Sequence, residues 1–437
     1  MVFRFVLNGN RSLGSRAPQP SRRTLSLTAT DCPRARPATE ATRGLPAHFP
    51  CFDGLRAFAA VSVVGIHTAF VSGFTSRSAW GIYTARLEIG VSVFFLISGF
   101  LLYRPFAVAH LAGSASPDLK RFWVRRLLRI VPAYWLVMTV TSYIMRVNTN
   151  VRGWKPTLIL YAFGQIYFPS TVFKGVTQAW SLCTEMSFYL FLPLLAALLV
   201  WRRSSLRSQL VREMSALAVM VVISFAFRLW ALTEAVHHPS STYGTMSDWL
   251  PANLDLFALG MFLAVTSAWM HQQGLRPGWL WHPVMPWVSW ALAGVAFWAV
   301  SQLHIPLTPL YQISPGLNLA RQSLYGAFAF FMLLPAVFGP QDRGFIRRFL
   351  RMRLVAATGV VSYGIYLWHQ AWVSMWLNWT HDSLFHIPFW ALFTVVLALA
   401  VASASGSYFL VERPALRLKD RLSWFDRPRA VPTDAVP

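Results

Sequence analysis

An all-α fold, an integral membrane protein with about ten transmembrane helices, is what this sequence predicts, and three observations carry the prediction. Of the 437 residues, 55% are hydrophobic and only 13% charged, and mean hydropathy is +0.45. A soluble domain could not bury that much apolar surface. Ten apolar runs recur along the chain, and the basic residues collect in the short loops between them. The net charge of +23 therefore points to an anionic membrane surface, and no nucleic-acid-binding motif competes with that reading.

Residues 1–52 open the chain as a basic segment read as a disordered cytosolic tail. Its first 49 residues hold eight arginines against Asp31 and Glu40, and they lack the apolar core of a secretory signal. The membrane domain, 53–411, follows. Its runs fall near 57–74, 88–106, 127–146, 178–201, 214–232, 249–270, 284–302, 320–338, 355–378 and 389–411. Each approaches or exceeds the roughly 20 residues that cross hydrocarbon. One further run, 157–168, is shorter. Leaving it out of the count puts 30 Lys and Arg on the side of both termini and 6 on the other. That split fits cytosolic termini, so 157–168 is expected to be re-entrant or interfacial. Residues 412–437 then form a basic cytosolic C-terminal tail. Cys32, Cys51 and Cys183 have no metal or redox spacing, so no metal site and no disulfide framework is expected.

The chemistry begins in the first span. Arg56 and His67 are eleven residues apart, which on a helix brings them within about 20° of one face and separates them by roughly 16 Å. Of the eleven histidines, only His67 and His369 lie within spans. An ionisable group in hydrocarbon is costly and tends to be kept for function, although a lone histidine also serves as an interhelical hydrogen-bond donor. Arg125, Arg126 and Arg129 gather near the same mouth as Arg56. Arginine's planar fork suits a nucleotide phosphate, while topology-setting charge is the plainer account of Arg125 and Arg126. Toward the outer ends, Arg228 and Asp255 are expected to form a structural ion pair. Glu185 sits in Trp180-Ser-Leu-Cys-Thr-Glu185-Met-Ser-Phe-Tyr189, where the aromatics serve either as interface anchors or as a stacking face for sugar. Ser98-Gly99 reads by default as a close packing contact.

These strings together resemble the membrane-bound acyltransferase-3 family, whose members O-acylate glycans, lipids and antibiotics. The matches run in family order: Asp53-Gly-Leu-Arg56 with His67; Gly90-Val-Ser-Val-Phe-Phe-Leu-Ile-Ser98-Gly99; Arg125-Arg-Leu-Leu-Arg129-Ile-Val-Pro-Ala-Tyr134; Trp180-Ser-Leu to Tyr189; Ser362-Tyr-Gly-Ile-Tyr366-Leu-Trp-His369; and Val411-Glu-Arg-Pro414. Ser92 and Met186 depart from the pattern, standing where many members carry an acidic and a second polar residue. The resemblance implies ten helices, no tightly bound cofactor, and an acyl-CoA donor such as acetyl-CoA entering from the cytosol. The acceptor would be a hydroxyl of a glycan, glycolipid or secondary metabolite at the far face of a bacterial inner membrane. It implies the form without a C-terminal SGNH-type esterase domain.

In that reading Arg56 anchors the donor, and His67 acts as general base or relays the acyl group. Glu185 orients the acceptor or the His67 tautomer. Arg125, Arg126, Arg129 and Tyr134 are candidates for donor binding, and Trp180, Ser181, Tyr189 and His369 for the acceptor cavity. Asp53, Ser98 and Gly99 support them. The competing expectation is a glycan or lipid exporter without chemistry, which intramembrane charge suits as well; the absence of an inverted repeat between the halves counts against it.

Overall fold

The computed structural model describes residues 49–148, 151, 153–200, 205–238, 242–307 and 313–422, and among these the chain is helical with no strand. The basic tail expected over residues 1–52 falls outside the described residues except for 49–52. Its last two residues, Cys51 and Phe52, already belong to the first helix, α1 (Cys51–Ser72).

Seven helices among the described residues are long and apolar enough to cross a membrane. They are α1, α2 (Ile89–Leu111, within the span Gly81–Leu111), α3 (Leu119–Thr139, extended to Ile144), and α5 (Trp180–Leu199). The others are α6 (Leu206–His237), α7 (Leu254–Gln272) and α11 (Phe389–Ser407). The other three predicted spans are helices too: α8 (Met285–Gln302), α9 (Pro315–Val337) and α10 (Ser362–Thr380). They fall short of that hydropathy for readable reasons. α9 opens on Asn318, Arg321 and Gln322, and α10 carries Tyr, Trp, His and Gln rather than aliphatic side chains.

The expected run 355–378 is broken. One short helix covers Arg353–Val360, and Val361 (φ −95°, ψ 6°) turns the chain into α10. Between α3 and α5 lies the short segment set apart by charge, where α4 (Trp154–Tyr161) has only eight residues. At 1.5 Å per residue it is about 12 Å long, too short to cross hydrocarbon. At the other end, α11 continues through a π turn (Tyr408–Glu412) into a helix, Arg413–Leu422, so the start of the expected C-terminal tail is ordered helix.

α1 is the hub of the bundle. It packs against α2, α9, α10, α11 and the Arg353–Val360 helix. The outward faces of α6 and α8 instead expose Val219, Val222, Trp230, Trp287, Val295 and Trp298, the surface that lipid would cover.

Two close backbone contacts fix the frame. A Cβ on Gly99 of α2 would lie 2.3 Å from the Phe257 carbonyl oxygen of α7, and one on Gly260 of α7 would lie 2.1 Å from that of Leu96. The packing role expected of Gly99 is therefore reciprocal, with each glycine admitting the other helix's backbone. Similarly, a Cβ on Gly359 would lie 1.8 Å from the Asp53 carbonyl oxygen, so the start of α1 rests directly on the Arg353–Val360 helix.

Candidate active site

Two cavities lie one above the other along the face of α1 that carries Arg56 and His67. The smaller, about 90 Å³, is walled by Arg56, Arg126, Arg129, Ser98, Glu185 and Tyr189, with Ser181, Tyr363 and Tyr366. The larger, about 480 Å³, is walled by His67, Arg86, Glu88, Trp180, Asp248 and Arg321, with Gln178 and Asn318. Among the described residues, Tyr366 is the one on both walls. The same-face geometry of Arg56 and His67 holds in the unbroken helix α1, but each residue addresses its own cavity.

The arginine cavity is electropositive. Arg56 donates to Asp53 at 3.1 Å, one turn earlier on α1, so that pair is closed. α3 brings Arg126 and Arg129 to the wall, and among the described residues neither forms an ion pair within 4 Å. The opposing carboxylate is Glu185 of α5, which accepts hydrogen bonds from Ser98 of α2 and from Tyr189 (2.8 Å). Three guanidinium groups and two carboxylates leave a net positive charge, arranged to take an anion. A volume well under the roughly 300–1,000 Å³ of sites that enclose whole ligands admits only part of a nucleotide-sized donor.

The second cavity contains the histidine, and its hydrogen bonds settle the tautomer. His369 Nδ1 lies 2.8 Å from the carbonyl oxygen of Tyr366, which can only accept, so Nδ1 carries the hydrogen. In the neutral ring, His369 Nε2 is then an acceptor. It lies 3.1 Å from His67 Nδ1, which is also 2.9 Å from the Val63 carbonyl oxygen. Both neighbours of His67 Nδ1 are acceptors, so that nitrogen carries the hydrogen and His67 Nε2 keeps a lone pair. This assignment follows from the heavy-atom network.

Around the rim, Glu88 accepts from Arg321 (3.1 Å) and Tyr325 (2.9 Å), and Arg86 donates to the Ile305 carbonyl (2.8 Å). Asp248 lies in a short 3₁₀ segment before α7, and its carbonyl accepts from Thr184 of α5 at 2.5 Å. Its half-buried side chain forms no ion pair among the described residues. Burial pushes the carboxyl up to about 7, against the pull of Arg228.

Several expected placements change. Glu185, expected to orient the acceptor or the His67 tautomer, stands in the arginine cavity, and the group bonded to His67 is His369. Ser181 and Tyr189, expected at the acceptor cavity, line the arginine cavity, while Trp180 does reach the histidine cavity. His369 lines neither; it is fully buried behind His67. Tyr134 and Arg125 also line neither cavity. Tyr134 stacks on Phe163 and donates to the Leu160 carbonyl at 2.8 Å, pinning the α4 segment, and Arg125 is exposed.

The expected Arg228–Asp255 ion pair is absent too. Arg228 donates to the Ala252 carbonyl (2.7 Å), Asn253 and Asn318, while Asp255 accepts from Ser224 (2.8 Å) and Gln322 (3.0 Å). Cys183 is buried with its thiol toward the Ala179 carbonyl and reaches neither cavity. Tyr366, Gln178, Asp248 and Arg321 are not among the site residues expected from sequence. Two of them carry a signal there: Tyr366 lies in the Ser362–His369 string, and Arg321 is a charge at the start of an apolar span.

Such a bundle, with buried charged cavities along one central helix, is that of a multi-pass membrane protein with a site in its interior. Residues 49–410 match the Acyl_transf_3 family model, described as an acyltransferase domain, and the chain belongs to that family.

Among its relatives, Nodulation protein 10 of Rhizobium leguminosarum bv. viciae is 27% identical over 409 residues, 88% of this chain and 97% of that protein. YrhL of Bacillus subtilis (strain 168), which carries a provisional name as a peptidoglycan O-acetyltransferase, is 27% identical over 387 residues. That match covers 84% of this chain and 55% of YrhL. The O-acetyltransferase OatA of Staphylococcus aureus (strain NCTC 8325 / PS 47) is 28% identical over 201 residues, 41% of this chain and 30% of OatA. The chain thus spans about half or less of the length of those two acetyltransferases. No solved structure matches it.

Proposed function

We propose that the protein is a bacterial inner-membrane O-acyltransferase with ten spans and cytosolic termini. It takes a short acyl group from an acyl-CoA-type donor and transfers it to a hydroxyl of an envelope glycan or glycolipid. The observation that carries the reading is the His67–His369 hydrogen bond, which leaves an unprotonated His67 Nε2 at a polar cavity. Membership of an acyltransferase family and the names of OatA and YrhL support the acyl chemistry.

Donor phosphate rests on Arg56, Arg126 and Arg129, and the acyl end extends along α1 toward His67. The acceptor hydroxyl gives its proton to His67 Nε2 as its oxygen attacks the thioester carbonyl. The tetrahedral intermediate then expels the thiolate, and the imidazolium returns the proton to that sulfur. While charged, His67 donates through Nδ1 to His369 Nε2, which is held by the Tyr366 carbonyl. Glu185, bonded to Ser98 and Tyr189, holds the wall facing the arginines.

The test is the mass of envelope glycans from cells with the gene, without it, and with His67→Ala. An acyl increment present only with the active protein supports the reading. Full acylation by a normally inserted His67→Ala protein sinks the mechanism, and loss of export of an unmodified glycan points instead to a transporter.

A further inference from the structure

If donor and acceptor occupy different cavities, the acyl group has to pass between them, and the wall it meets is Tyr366. This inference therefore rests on the proposed acyl transfer. Tyr366 lies on α10 one turn before His369, is 4% exposed, and among the described residues is the only one shared by the two linings. Its hydroxyl is held by two hydrogen bonds. The hydroxyl donates to the Gln178 carbonyl at 2.5 Å and accepts from Ser181 at 2.8 Å. The Gln178 side chain in turn donates to the Leu367 carbonyl at 2.8 Å, tying the Thr177–Ala179 turn to α10. The edge of Phe94 closes against the ring, with centroids 6.0 Å apart.

We infer that the Tyr366 side chain is the partition between the two cavities, and that an acyl group crosses only when its bonds to Gln178 and Ser181 are broken and the ring swings aside. The partition role accounts for a hydroxyl bonded to Ser181 in the first turn of α5 and to the Thr177–Ala179 turn before it, rather than to a charged group of either cavity. A neutral latch of two hydrogen bonds closes the passage yet costs little to open. The closed ring also keeps water in the acceptor cavity from the thioester until an acceptor is in place.

Side-specific labelling of the full-length chain in sealed membrane vesicles tests this without any donor or acceptor. Cys32, Cys51 and Cys183 are replaced by serine, and one reporter, Leu101→Cys, is placed in the arginine cavity. A membrane-impermeant methanethiosulfonate is applied from one face or the other. With Tyr366 present, the reporter reacts from one face only. Tyr366→Ala should raise labelling from the opposite face by at least about tenfold. Tyr366→Phe, which keeps the ring and loses the latch, should give a smaller rise. Retained labelling from the original face shows that each variant is folded. Opposite-face labelling that is unchanged in both variants, or already fast with Tyr366 present, overturns the assignment. The acyltransferase reading fails separately, on the glycan masses of the His67→Ala strain.

Discussion

Replacing His369 tests the site most directly, because the residue is buried and lines neither cavity. His369→Leu removes the acceptor of the His67 Nδ1–H bond while the Val63 carbonyl remains 2.9 Å from that nitrogen. The resting tautomer therefore survives, and the loss falls on the charged state formed when His67 has taken the acceptor's proton. A hydrogen bond to a charged group contributes about 1.5–3 kcal/mol, which corresponds to a rate loss of about 10- to 150-fold. Removing the base itself, as in His67→Ala, should cost about 10²–10⁴. His369→Gln keeps an acceptor oxygen on a side chain of similar reach and should recover most of the rate. The assay is initial acyl incorporation into envelope glycan in membranes matched for protein level. A His369→Leu rate within threefold of the parent, or a Gln variant as slow as the Leu variant, would refute the reasoning.

Two further outcomes follow from the frame and the rim. Gly99→Ala and Gly260→Ala each force a methyl onto a facing carbonyl oxygen and should cost about 1–3 kcal/mol, read as a lower unfolding temperature in detergent. Because both act at one helix crossing, the double variant should lose less than the sum of the two. The Asp248 carboxyl is raised from 3.8 to about 7 in the folded protein, so the fold binds that proton more tightly than the unfolded chain does. Its contribution to stability is therefore full below about 4 and declines as pH rises toward about 7. Asp248→Asn should flatten this part of the pH dependence between pH 4 and 8 in thermal-shift measurements, and an unchanged slope would contradict it.

How much of this was legible beforehand depended on the range of the interaction. The helices, the shared face of Arg56 and His67, and the exclusion of 157–168 from the spans are local properties of periodicity, length and charge. The site is built from contacts across the whole chain. His67 and His369 are 302 positions apart, and only their being the two histidines inside spans hinted that they meet. Glu185, expected among the groups near the outer ends, lines the arginine cavity instead. Its wall was set by the meeting with Ser98 of α2, 87 residues away. Arg228 and Asp255 were matched by charge and depth, yet buried carbonyls and amides satisfied each of them separately.

The Gly99–Gly260 crossing has a mechanical consequence. With backbones in contact, α2 and α7 behave as a keel, and Ser98, next to the crossing, is fixed with them. The seam between α10 and α5 is made differently: α10 starts after the break at Val361, seats closely on α11 through Gly364 and Ala404, and is latched on the α5 side through Gln178 and Ser181 by neutral bonds. Motion in the working cycle should therefore fall on the α10 side, against a stationary α2 wall. Changes that adapt the protein to a different acyl group or acceptor would be tolerated along α10 and the start of α5, and resisted along the keel.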